Sequence, residues 1–169
     1  MVARKPVSPP LGAHYQRYNR SIAMDYFTGG TIDRVIIASL TPGDLFLESI
    51  EEIIKKEKIE TGVVTSGIGS FRKFKYHTIT WTGMPPKDRF YEVEGPIEIG
   101  GIQGLIVGGE PHLHITFNNC ETGETSTGHI EYGCEVCYLV ELFIEVVKGV
   151  NIKKEKDPDN PGVVKFVAK

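Results

Sequence analysis

Between residues 60 and 147 the apolar side chains recur mostly at alternate positions, and glycine, proline and asparagine punctuate the pattern. A period of two belongs to strands with one buried face. Stretches 62–68, 71–80, 90–93, 97–99, 102–107, 112–117 and 134–147 all fit it, and 32–38 adds a β-branched run, Ile32-Asp33-Arg34-Val35-Ile36-Ile37-Ala38. Strands that follow one another over short turns pair antiparallel.

Only one stretch has helical periodicity. Leu47, Ile50, Ile53 and Ile54 share a face, with Glu48, Glu51, Glu52, Lys55 and Lys56 on the other. Thr41-Pro42-Gly43-Asp44 precedes it, and Thr41 is expected as N-cap with Pro42 at the first helical position. The expected architecture is α+β: a mostly antiparallel sheet with one main amphipathic helix, about 41–58, packed on it.

The 169 residues suit one domain. Residues 25–150 are expected to form it, and 151–169, rich in Lys, Glu, Asp and Pro, to be a charged surface extension. No apolar run is long enough to span a membrane, and Met1 to Pro10 lack the apolar stretch of a secretory signal. Three cysteines, an odd number, suit a reducing compartment, so the expected location is cytoplasmic. Cys134 and Cys137 stand three apart in a strand-like run and are read as core packing, and Gly67-Ile68-Gly69 as a strand bend or close packing.

The net charge of −3 excludes a global field attracting nucleic acid. Residues 1–24 nevertheless carry Arg4, Lys5, Arg17 and Arg20 with no acid, +4 against −7 for the remainder. That segment is expected to be a flexible basic arm, and it is the candidate nucleic-acid contact.

Chemistry concentrates elsewhere. Of five histidines, His112, His114 and His129 fall within eighteen residues. On one strand His112 and His114 face the same way, about 6.5–7 Å apart, with Leu113 turned to the core. The turn-rich segment Asn118-Asn119-Cys120-Glu121-Thr122-Gly123-Glu124 is expected to fold the chain into a hairpin. A loop centred between Glu121 and Thr122 sets His129 directly opposite His114, whereas an odd-length loop would send it to the other face. Three imidazoles on one face make a tripod for a divalent metal. Zinc is the leading candidate, and nickel, copper, cobalt and iron also accept imidazole. Glu98, Glu131 and Glu141 are candidates to support the ligands. His14 and His77 have no partner in sequence and are expected at the surface.

Taken in order, Arg34-Val35-Ile36, Leu40-Thr41-Pro42-Gly43-Asp44-Leu45, Ser66-Gly67-Ile68-Gly69-Ser70, Glu98-Ile99, His112-Leu113-His114 and Gly128-His129 resemble the PPC (plants-and-prokaryotes-conserved) domain over about 30–149. The resemblance, to the stand-alone prokaryotic type, implies an α+β homotrimer with a metal at His112, His114 and His129. In plants the domain follows AT-hook DNA-binding motifs. Here Arg4-Lys5-Pro6 lacks the R-G-R-P core, and Gly95-Pro96-Ile97-Glu98-Ile99-Gly100 stands where the plant partner-contact segment reads G-R-F-E-I-L. A metal-dependent ligand-binding or regulatory role is therefore the leading expectation. A DNA-binding transcriptional regulator and a metal-dependent hydrolase or lyase are the alternatives.

Overall fold

The computed structural model describes residues 25–169. The basic-arm residues Arg4, Lys5, Arg17 and Arg20, and His14, lie outside them. In chain order the elements are β1 (Thr31–Leu40), α1 (Phe46–Glu57), β2 (Thr61–Ile79), β3 (Asp88–Val107), β4 (Glu110–Asn119), β5 (Thr125–Ile130), β6 (Glu135–Lys148), β7 (Ile152–Lys156) and β8 (Val164–Ala168). The expected α+β arrangement, a mostly antiparallel sheet carrying one helix, is what the chain forms.

Two runs of short stretches fuse into long, bent strands. β2 joins 62–68 to 71–80, and β3 joins three stretches. Glycine lies at the joints for a steric reason. A Cβ on Gly69 would lie 2.2 Å from the Leu139 carbonyl oxygen, and one on Gly67 would lie 2.6 Å from Leu142 Cδ2. Gly69, at φ 146, marks an irregularity where β2 shifts register against β6. Bulges of this kind bend a strand without ending it.

The helix starts later than its sequence suggests. Thr41 does not cap it; residues 41–44 form a turn in which Asp44 Oδ2 accepts from the Thr41 N–H (2.7 Å) and hydroxyl (3.0 Å). The following backbone is then committed to β6. Gly43 N–H donates to the Val136 carbonyl, Val136 N–H to the Asp44 carbonyl, and Phe46 N–H to the Cys134 carbonyl. These bonds tie 43–46 to β6 and leave Leu45 extended (φ −88, ψ 122), so α1 begins at Phe46. It ends at Lys58, whose left-handed conformation lets its N–H reach the Ile54 and Lys55 carbonyls.

The sheet order is β1-β6-β2-β3-β4-β5, and β5 returns to pair with the far end of β2. Strands β2, β3, β4 and β5 thus close into a ring, while β6 and β1 extend from the other half of β2. The core runs through both parts. Phe46, Phe71, Phe74, Tyr76 and Phe117 form a chain of aromatic contacts with centroids 4.6–5.7 Å apart, flanked by Ile50, Ile54, Ile97, Ile115, Ile130 and Ile144. The charged 151–169 segment is ordered as the hairpin β7–β8.

Candidate metal centre

Strand alternation puts Leu113, Ile115 and Phe117 of β4 in the core, each at most 3% exposed, and turns His112 and His114 outward. The connection to β5 is tightly specified. Asn119 Oδ1 accepts from the N–H groups of Glu121 (3.0 Å) and Thr122 (3.2 Å), and Asn119 N–H donates to the Glu124 carbonyl (2.8 Å). Asn118 therefore pairs with Thr125, and His114 lies directly opposite His129, as the loop centred between Glu121 and Thr122 requires.

Gly128 then explains how β5 reaches β2. A Cβ there would lie 2.7 Å from both the His77 carbonyl oxygen and Tyr76 Cδ2. With glycine in place the strands close, and His77 pairs with His129. His114, His129 and His77 form one cross-strand row, with His112 two residues along β4. His77 is not a solitary surface residue; its Nδ1 lies 2.5 Å from Glu131 Oε1. Nothing local in the sequence marks this partnership, because the β2–β5 contact joins segments separated by two intervening strands, β3 and β4.

The tripod geometry fits a metal. The ligand nitrogens of His112, His114 and His129 lie within 4.8 Å of one another, and His112 Nε2 is 3.3 Å from His114 Nε2. Nitrogens held at ~2.05 Å around a tetrahedral zinc sit about 3.3 Å apart. His77, His129 and Glu131 form a second, overlapping group. His77 Nδ1 is already engaged by Glu131, so this pair is better placed to flank the tripod than to replace it. Glu98 sits opposite Asn118 and Ser70, and Glu141 opposite Ser39 and Ile68; neither joins the histidines. Of the three supporting carboxylates expected, only Glu131 is at the site.

Electrostatics favour neutral imidazoles. Burial, and then the neighbouring His112, His77 and His114, push His129 down to about 4. His112 is lowered by burial and by His114, Lys154 and His77, and His114 by burial and His77. Metal ligation needs neutral imidazole, so the site is preset for a cation and against protons. The cysteines offer no competing site. Burial raises the Cys134 thiol to about 11, and its Sγ donates to the Glu131 and Lys75 carbonyls. Cys137 is half-buried and Cys120 exposed.

Two clefts meet at the tripod. One, of about 520 Å³, runs over His77, Ile79, Asp88 and His129; the other, of about 410 Å³, is lined by Gln103, Leu105, His112, His114, Lys154 and Phe166.

Among solved structures, a metal-containing protein from Archaeoglobus fulgidus superposes with a TM-score of 0.71 at 20% identity, covering 85% of this chain and 99% of that one. A plant- and prokaryote-conserved (PPC) protein from Pyrococcus horikoshii gives 0.69 at 24% identity, covering 88% and 99%. A candidate DNA-binding protein from Bacteroides thetaiotaomicron gives 0.67 at 17%, covering 85% and 96%. These likenesses establish the fold. A curated relative, the bifunctional protein GlmU of Synechococcus, is 23% identical over 119 residues, 70% of this chain, and the chain spans 18% of its length. No helix among the described residues is long and apolar enough to cross a membrane. The family model of the Plants and Prokaryotes Conserved (PCC) domain matches residues 27–148, and the chain belongs to that family.

Proposed function

We propose that this PCC-domain protein binds one divalent metal, zinc, through His112, His114 and His129, and uses the open fourth position to bind a small-molecule ligand in a regulatory role. The observation that carries this reading is the tripod itself: three imidazoles from two paired strands, converging on one face with two nitrogens at tetrahedral spacing. The cytoplasm suits its three unpaired cysteines.

The working assembly is a homotrimer. Family membership supports it, as does the outer face of β1, β6 and β2, where Ile37 (78% exposed), Ile68, Leu139 and Phe143 face solvent. Exposed apolar side chains gathered on one face mark protein contacts. Light scattering should give three times the chain mass, and Ile37→Ser/Phe143→Ser should give monomers.

Elemental analysis tests the metal. Wild type should carry one zinc per chain after loading, and the His112→Ala/His114→Ala variant none. Zinc retained by the variant would overturn the assignment.

A hydrolase or lyase is the alternative that the His77–Glu131 pair favours, since a carboxylate-held imidazole beside a metal is arranged to accept a proton. Turnover of a substrate, lost on chelation and in His77→Ala, would establish it. DNA binding rests on the basic segment 1–24, and loss of affinity with salt would test it.

A further inference from the structure

The hairpin β7–β8 lies beyond the family match, which ends at 148, yet it forms one wall of the second cleft beside the tripod. Its sequence alternates accordingly. Ile152 is buried, Lys153 turns outward to Glu155, and Lys154 turns back in, only 19% exposed at its side chain. Phe166 is the direct cross-strand partner of Lys154, so both present to the same face. Lys169 clamps the hairpin end through its N–H to the Asn151 carbonyl and its Nζ to Glu60. The cleft floor follows the same logic. Gln103 pairs with His114 and Leu105 with His112, so all four side chains stand on one face of β3–β4.

The cleft therefore combines three chemistries: two of the tripod histidines, His112 and His114, on the floor, one ammonium on the wall, and an apolar lining from Phe166 and Leu105. Among the described residues Lys154 Nζ has only weak partners, the Glu110 carbonyl at 3.5 Å and its exposed carboxylate at 3.7 Å. Lys154 lacks the planar arginine fork that grips phosphate through two donors, and one ammonium beside the metal suffices to hold a single carboxylate.

We propose that this cleft binds a small monocarboxylate bearing an apolar or aromatic tail. The carboxylate lies between the tripod and Lys154, and the tail lies against Phe166 and Leu105. The proposal rests on the tripod reading above and names the ligand class of that site.

Titration calorimetry on the zinc-loaded full chain tests it, with 3-phenylpropionate, 3-phenylpropanamide and phenyl phosphate as probes. Wild type should bind the acid about tenfold or more tightly than the amide, the scale of a charge-assisted contact. Lys154→Gln should reduce that preference several-fold while zinc content stays unchanged, and Lys154→Arg should keep most of it. Phe166→Ala should weaken acid and amide alike. Equal affinity for acid and amide, undiminished preference in Lys154→Gln, or tighter binding of phenyl phosphate would each overturn the ligand class while leaving the metal assignment intact. Wild type that takes up no zinc would overturn the tripod reading and this proposal with it.

Discussion

The two faces of β4 share ten residues of backbone and have opposite purposes. Leu113, Ile115 and Phe117 point inward and are held by close packing against Phe74, Ile130 and their neighbours. His112 and His114 point outward, and their placement comes from register alone: the Asn119 turn fixes β5 and Gly128 lets β5 close on β2. The inner face tolerates imprecision gradually, since many contacts share the energy. The outer face has little stability to lose, but a register shift of one residue would dismantle it.

Substitutions should separate the two faces. The largest effect belongs to the inner one. Phe74→Ala, in a site of 0% exposure, should cost about 3–5 kcal/mol in denaturant unfolding. His114→Ala should change stability by less than about 1 kcal/mol while abolishing metal uptake. Comparable losses from the two variants would break the distinction.

Gly128→Ala sits between them. Its methyl must displace the His77 carbonyl or the Tyr76 ring, so stability should fall by about 1–3 kcal/mol. Metal affinity should fall with it, because His129 moves, although no ligand has been replaced. Retained affinity would show that β5 can shift without disturbing the tripod.

The pH dependence is smaller and its sign is set by the lowered histidines. Between about 4, the folded value for His129, and its unfolded value near 6.5, the unfolded chain binds more protons than the folded one. The metal-free protein should therefore lose stability as pH falls through that window. Metal binding should resist acid better than in an ordinary site. Three unperturbed imidazoles would lose about a thousandfold in affinity on going from pH 7.5 to 5.5. Here competition against a chromophoric chelator should give a much smaller drop. A full thousandfold loss would show that the lowering is absent.

Much of this was legible in the chain, unevenly and for identifiable reasons. Alternation alone placed Leu113 inward and His112 and His114 outward, and the Asn118–Glu124 turn placed His129 opposite His114, because hairpin geometry is local. His77 was not legible. Its partnership depends on β5 crossing to the far end of β2, a tertiary contact, and Gly128 was visible as a glycine but not as the gap that permits it. The helix start was misplaced because a Thr-Pro-Gly-Asp turn mimics a cap signal, while the hydrogen bonds that prevent it come from Cys134 and Val136, far along the chain. The C-terminal hairpin was hidden by its charge: Lys153 and Lys154 look alike in sequence, and only the pairing with Phe166 separates the outward lysine from the one in the cleft.

The proposed metal is held by three imidazoles, those of His112, His114 and His129. X-ray absorption at the zinc edge of the loaded protein tests it most directly. Three imidazole nitrogens at ~2.0–2.1 Å and a single further light-atom ligand are expected. Sulfur at ~2.3 Å, or a shell with fewer than three imidazoles, would contradict it.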